Sequence, residues 1–96
     1  MIPSHVSEIA KEKVPQLHFP QQPVDLSQVH RTALDRKIRT AMTLGNTEHC
    51  KCRILFKDAE GMKYVETTVW SVDNQHIVLR SGITLPIARV IDVDLV

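Results

Sequence analysis

Two cysteines one residue apart, beside a histidine, are the most reactive group of side chains that this sequence places together. The stretch reads His49-Cys50-Lys51-Cys52, and cysteine and histidine are usual ligands of zinc. Zinc prefers four ligands, commonly in paired Cys-x-x-Cys spacings. The stretch has the alternation of a strand, which places Cys50 and Cys52 on one face and His49 on the other. Because these ligands do not converge, we predict no metal site and no cofactor, with both cysteines as small hydrophobic residues facing the core.

No catalytic motif is evident in the rest of the chain. The five histidines are scattered, and no serine lies in a nucleophile motif. Asp92 and Asp94 share one face of a predicted strand, and a carboxylate pair is an arrangement found in acid–base catalysis. Exposed alternation on an outer strand explains the pair more simply. We therefore predict that the protein is not an enzyme.

The single tryptophan, Trp70, lies in a run of residues that favour strands. In one interpretation it is a stacking platform for a nucleic acid base, beside Arg53 or Arg80. In the other it packs in the core beneath a helix, as a lone tryptophan of a small β domain usually does. We predict the second.

Basic residues are concentrated in one part of a chain whose formal net charge is only +1. Between His30 and Lys57 there are seven lysines and arginines against two acidic residues, whereas the chain from Asp58 onward has three against six. Such a band is a candidate docking surface for an anionic partner. The alternative is a solvated helix face and strand edge. The candidate anion- or RNA-binding patch consists of Arg31, Arg36, Lys37, Arg39, Lys51 and Arg53.

The elements that would position these residues begin with an arm and a helix. Residues 1–24 contain four of the five prolines and are predicted to be an extended or weakly ordered arm. Residues 25–44 are predicted to form a helix, with Asp25 as its N-cap and Gly45-Asn46 as its C-terminal cap. One apolar stripe follows the helical spacing and consists of Leu26, Val29, Ala33, Leu34, Ile38, Ala41 and Met42.

Residues 49–96 alternate between apolar and polar positions and are predicted to form a barrel. Asp58 to Gly61 reads as a hairpin turn in which glycine takes the positive φ. The segment from Lys63 to Val72 is long for one strand and is predicted to bend. Together with the helix, residues 25–96 are predicted to form a single domain. Its fold class is mainly β with an N-terminal helix, as a small five-stranded bent antiparallel barrel.

This order of elements resembles the Sm-like (SH3-like) family of small barrels. The stretch ILFKDAEGMKYVETTVWSVDNQHIVLRSG, followed by LPIARVIDV, is similar to the bacterial Sm-like RNA chaperone in its pattern of strands and turns. It also resembles the Rho-binding antiterminator, a small Sm-like protein that binds a transcription factor. The resemblance covers about half of the chain and implies the fold, together with a role in RNA binding or transcription.

Three positions depart from the family pattern. The second strand has no glycine near Glu66 or Thr67, where Sm-like proteins usually bend. The residues after Asp73 are out of register with the RNA-contacting asparagine, and the Lys-His pair of the RNA chaperone is replaced near Ile87 and Ala88. The resemblance therefore implies the strand order and not the known RNA pockets.

Taken together, these features predict a binding module in the cytoplasm. The 96 residues suffice for one domain, two cysteines form no disulfide framework, and no apolar run is long enough for a membrane span. The start of the chain lacks the order of a signal peptide. We predict a non-enzymatic module for a protein partner or for self-assembly. The alternative is an RNA-binding or transcription-regulatory module that uses the basic helix and first strand.

Overall fold

A computed structural model describes residues 3–96. It contains one long helix, α1 (Gln28–Glu48), and three short 3-10 segments at Lys11–Gln16, Arg80–Gly82 and Ile87–Arg89. Seven strands complete the described chain: β1 (Ser7–Glu8), β2 (Cys52–Asp58), β3 (Gly61–Thr67), β4 (Val69–Val72), β5 (His76–Leu79), β6 (Thr84–Pro86) and β7 (Val90–Leu95).

The strands form two small sheets, in the orders β1-β3-β2-β7 and β4-β5-β6. All pairings are antiparallel except that of β1 with β3. The fold is therefore mixed α/β, and the predicted five-stranded closed barrel is not confirmed. Strands β6 and β7 do not pair with each other and lie in different sheets. The cause is local, because Pro86 has no N–H to donate and the 3-10 segment that follows it separates the two strands.

The predicted turn and bend of the strand region are confirmed. Asp58 Oδ1 accepts hydrogen bonds from the N–H groups of Glu60 and Gly61, at 2.8 and 3.0 Å. Gly61 has a φ of 141°, which is accessible mainly to glycine. The predicted long strand is divided at Thr68 into β3 and β4, which belong to different sheets.

The core lies between the sheets and α1. Cys52, Ile54 and Phe56 of β2 are buried on one face, as their alternation predicts. Helix α1, strands β3 to β7 and the first 3-10 segment each contribute at least one buried side chain to the same cluster, whereas both residues of β1 are exposed; the strand residues are Val65, Val69, Ile77, Leu79, Leu85, Val90 and Val93.

Helix α1 begins and ends later than predicted. Its N-cap is Ser27, whose Oγ accepts a hydrogen bond from His30 N–H at 3.1 Å, and not Asp25. Val24 N–H donates to Ala88 O at 2.8 Å, which keeps the preceding chain extended against the 3-10 segment before β7. At the other end, Gly45 is a buried helical residue and His49 is the left-handed cap, with φ 56°.

Only part of the predicted apolar stripe of α1 is buried. Leu34, Ile38 and Ala41 reach the core, whereas Val29 is 81% exposed. Val29 lies on the first turn, where the described structure places no sheet over its face. No helix in residues 3–96 is both long enough and apolar enough to cross a membrane.

The arm predicted for residues 1–24 packs against the rest of the chain in its described part, while residues 1 and 2 lie outside the described residues. β1 extends the first sheet, and Ile9 N–H donates to Tyr64 O at 2.9 Å. Val14 is completely buried in the core cluster, and Phe19 packs on Phe56 with ring centroids 5.8 Å apart. The arm thus supplies part of the core.

Candidate functional site

Three of the six candidate basic residues form ion pairs within the chain. Lys37 Nζ lies 2.9 Å from Asp92 Oδ1, and Arg39 Nε lies 3.1 Å from Asp35 Oδ2. Arg53 Nε lies 2.9 Å from Glu66 Oε1 across the β2–β3 pair. The basic band and the acidic remainder of the chain therefore neutralise each other in part.

The other three basic residues have different surroundings. Arg31 Nη2 donates to Val24 O at 3.0 Å and so helps to hold the end of the arm on α1. Arg36 and Lys51 are exposed and have no ion-pair partner within residues 3–96. They line separate cavities, since Arg36 lies beside β7 and Lys51 lies beside the arm. Their use in RNA binding stays a prediction.

A cleft of about 210 Å³ separates the arm from the bend between β3 and β4. Thr67 and Thr68 are buried at its base, and Lys51 and Arg80 line its wall. Two of its acidic residues are already paired, Glu66 with Arg53 and Glu12 with Lys11. Arg80 N–H donates to Thr68 O at 3.0 Å, which fixes the backbone of this arginine at the cleft. Arg80 is predicted from the sequence only as a base contact beside Trp70, and it is not one of the six residues of the predicted basic patch.

A second groove, of about 340 Å³, runs between α1 and the end of β7. Arg36, Lys37 and Thr40 form the helical wall, and Val93, Asp94 and Leu95 form the strand wall.

The Lys37–Asp92 ion pair joins α1 to β7 beside this groove. Burial disfavours the charged form of Asp92, but hydrogen bonds from Lys37 and from Val93 N–H outweigh it and hold the pKa of Asp92 below its usual value. Asp92 is therefore ionised at neutral pH and takes part in the attachment of the helix. It does not have the raised pKa that suits a general acid.

Trp70 is 47% exposed, so the prediction that it packs in the core is wrong. The pairing of β4 with β5 shifts register between Val69 and Ser71, which makes Trp70 the extra residue of a β-bulge. Val69 points into the core with 1% exposure, and the next side chain, that of Trp70, lies on the opposite face of the strand. Alternation along the sequence does not reveal a bulge, and only the length of the predicted strand hinted at an irregularity.

The two cysteines have separate environments. Cys52 is buried, and its burial raises the pKa of the thiol to about 12. Cys50 precedes β2 and is half-buried. Among residues 3–96, no three His, Cys, Asp or Glu side chains are grouped closely enough to hold a metal ion.

No family model, curated protein or solved structure matches this chain. The geometry of its surfaces is therefore the basis for a functional proposal.

Proposed function

We propose that this protein is a non-enzymatic binding module that docks a protein partner on the surface around Trp70. The exposure of Trp70 on a structured strand is the observation that carries the proposal. Tryptophan is among the residues most enriched at the centres of protein interfaces, because its large apolar surface gains the most from burial. Leaving it in water in the free protein is costly, and a partner would remove that cost.

The backbone of Trp70 is held in place from two sides. Asn46 Nδ2 donates to the carbonyl oxygen of Trp70 at 3.1 Å. On the other side, β4 pairs with β5 on both sides of the bulge. A side chain on a fixed backbone loses little entropy on binding, which favours its use as an anchor.

For the fold, we propose an open Sm-like or SH3-like barrel. The support is the order of the strands: β2 pairs with β3, β4 with β5 and β5 with β6, all antiparallel, the chain passes from β3 into β4 through the bend at Thr68, and β7 returns to pair with β2. A one-turn 3-10 segment before the last strand is also part of that pattern. An experimental structure in which β7 pairs with any strand other than β2 would contradict this assignment.

The proposed partner surface can be tested with a peptide display library selected on the immobilised protein. The expected result is a set of peptides that bind the wild type and lose at least tenfold in affinity against Trp70→Ala. Met62→Ala is the matched control, because Met62 is also an exposed hydrophobic residue on a strand, with 38% exposure, but lies on β3. Peptides that bind both variants equally well would contradict the role of Trp70.

Because Trp70 is the only tryptophan, its fluorescence reports directly on this surface. A bound peptide should shift the emission maximum to shorter wavelength as water leaves the indole. Light scattering over a wide concentration range tests whether the partner is a second copy. A mass that rises with concentration in the wild type and not in Trp70→Ala would identify the partner as the protein itself.

RNA binding is a second candidate function, and the cleft beside the arm favours it. Lys51 and Arg80 both line this cleft, and neither has an ion-pair partner within residues 3–96. Filter binding of single-stranded RNA should weaken steeply as salt is raised, because each phosphate contact releases counterions. The double variant Lys51→Ala, Arg80→Ala should reduce binding and the salt slope, whereas Arg39→Ala should not, since Arg39 is paired with Asp35. A flat salt response would contradict this function.

A further inference from the structure

The outer edge of β7 lies at the end of its sheet, in the order β1-β3-β2-β7. Val96 N–H donates to Lys51 O at 3.3 Å, and Arg53 and Asp94 lie opposite each other in the ladder. Hydrogen-bonded and non-hydrogen-bonded pairs alternate along antiparallel strands. The backbone groups of Asp94 and Val96 therefore face β2, and those of Ile91, Val93 and Leu95 point outward.

Two groups on the first half of this edge already have partners. His30 Nε2 lies 2.7 Å from Ile91 O, and since a carbonyl only accepts, the imidazole donates. Asp92 Oδ1 accepts from Val93 N–H at 2.9 Å, while the same carboxylate is held by Lys37. Side chains that cover an edge in this way protect it from pairing with another chain.

Among the described residues, no side chain is seen to cover the second half of the edge in this way. Within residues 3–96, the carbonyl of Val93 and the N–H and carbonyl of Leu95 have no hydrogen-bond partner. These groups border the groove of about 340 Å³ between α1 and the end of β7. An acceptor and a donor that are spaced along a strand match the backbone of another extended chain.

We infer that an extended peptide with acidic and apolar residues in alternation docks in this groove and adds a strand to β7 at Val93 and Leu95. Addition of a strand to an exposed sheet edge is a general mode of peptide recognition, in which backbone hydrogen bonds give affinity and alternate side chains give specificity.

The side chains around the groove select the composition of the peptide. Arg36 lines the groove, is exposed, and has no ion-pair partner within the described chain, so it is available to a carboxylate. Lys37 is already paired with Asp92, and Asp94 is engaged in an interaction of its own. Leu95 is 51% exposed and offers an apolar contact. This surface does not include Trp70, so the inference is independent of the proposed function.

The probe for this test is a blocked hexapeptide of alternating valine and glutamate, compared with one of alternating valine and lysine. NMR of the labelled full chain should show shifts at Val93 and Leu95 with the glutamate peptide. Hydrogen exchange at the Leu95 amide should slow at least fivefold, because this N–H gains a partner. Equal shifts with the lysine peptide, or no shift at either residue, would overturn the inference.

Two variants test the contacts separately. Arg36→Glu should weaken binding of the glutamate peptide at least fivefold, whereas Arg39→Glu, on the same helix but outside the groove, should not. Leu95→Pro removes an N–H that points away from β2, so the ladder stays intact while strand addition is lost.

Binding that survives both Arg36→Glu and Leu95→Pro would overturn the inference. So would a Leu95 amide that is protected without peptide in a sample whose mass rises with concentration, because the occupant would then be a second copy.

Trp70→Ala should leave binding of the glutamate peptide unchanged. The two proposals therefore fail on different results. Glutamate-peptide binding that is unaffected by Leu95→Pro counts against this inference, and selected-peptide binding that is unaffected by Trp70→Ala counts against the proposed function.

Discussion

Asn46 Nδ2 lies 3.1 Å from the carbonyl oxygen of Trp70 and 2.9 Å from that of Met42, so one amide joins the last turns of α1 to the bulge of β4. This contact requires the helix and the strand to approach each other closely. Gly45 permits the approach, because a Cβ at that position would collide with the carbonyl oxygen of Val69. The close packing of β4 on α1 beside Trp70 therefore depends on a glycine one turn from the end of the helix.

Gly45→Ala should destabilise the protein although alanine is the better helix former. The propensity gain is about 1 kcal/mol, but the new methyl group must displace backbone, which costs about 1 to 3 kcal/mol. It should also change the emission of Trp70, since β4 has to move. Thr47→Ala, at an exposed site of the same helix, should change the free energy of unfolding by less than about 0.5 kcal/mol. A higher melting temperature for Gly45→Ala, measured by circular dichroism, would contradict the close packing.

Much of the strand region could be predicted from the sequence, because alternation and turn residues act locally. The buried face of β2 and the turn at Gly61 follow from Cys52, Ile54 and Phe56 and from the need for a positive φ. The exposure of Trp70 could not be predicted, because alternation places Val69 and Trp70 on opposite faces of the strand without showing which of the two faces the core covers. The bounds of α1 also depend on a distant contact, that of Val24 with Ala88.

For the candidate site, the sequence predicts which basic residues are present but not what surrounds them in the fold. The sequence shows that basic residues are concentrated between His30 and Lys57. It does not show that Lys37 and Arg53 face acidic partners from other strands, because these pairings depend on the register of β2 with β3 and on the position of α1.

Ser27→Ala should destabilise α1, and Asp25→Ala should not. Ser27 accepts the hydrogen bond from His30 N–H, and loss of such a cap costs about 1 kcal/mol. Asp25 is exposed and two residues before the cap, so its removal should change stability by less than about 0.5 kcal/mol. Urea denaturation of both variants provides the measurement. A larger loss of stability for Asp25→Ala than for Ser27→Ala would indicate that the helix begins at Asp25.

Val14→Ala should destabilise the whole domain, because the arm contributes to the core. Val14 is completely buried, and the cavity left by its two methyl groups should cost about 2 kcal/mol. Val29→Ala makes the same chemical change at a side chain that is 81% exposed, so we expect a change below about 0.5 kcal/mol. Similar midpoints of chemical denaturation for the two variants would mean that the arm is not part of the folded core.

Asp58→Ala should cost about 2 to 3 kcal/mol at neutral pH, because it removes a buried, charged acceptor from three part-buried hydrogen bonds. Asp58 is 2% exposed, and it accepts from two backbone N–H groups and from Lys63 at 2.7 Å. Asp73→Ala is the matched control: Asp73 also accepts from two backbone N–H groups, but it is exposed. Asp73→Ala should therefore lower the free energy of unfolding by less than Asp58→Ala does.

The effect of Asp58 should also depend on pH. Burial opposes ionisation of this carboxyl, but the bonds from Lys63 and from the turn outweigh it, so the pKa is lowered in the folded state. A lowered folded pKa gives stability that is present above the unfolded value of about 4 and lost as the pH falls through the folded value. The difference between wild type and Asp58→Ala should therefore shrink in acid. A difference that is constant from pH 7 to pH 2 would contradict this assignment.

Iodoacetamide should modify one cysteine of the native protein and two of the unfolded protein. The thiolate is the reactive form. Burial raises the pKa of Cys52 to about 12, so at pH 8 its thiol is protonated, and the buried sulfur is also out of reach of the reagent. Cys50 is half-buried and lies before the strand begins. Mass spectrometry after brief treatment should show a single adduct, and Cys50→Ser should show none. Two adducts under native conditions would mean that β2 opens on the timescale of the reaction, since Cys52 reaches solvent only when its strand leaves the core.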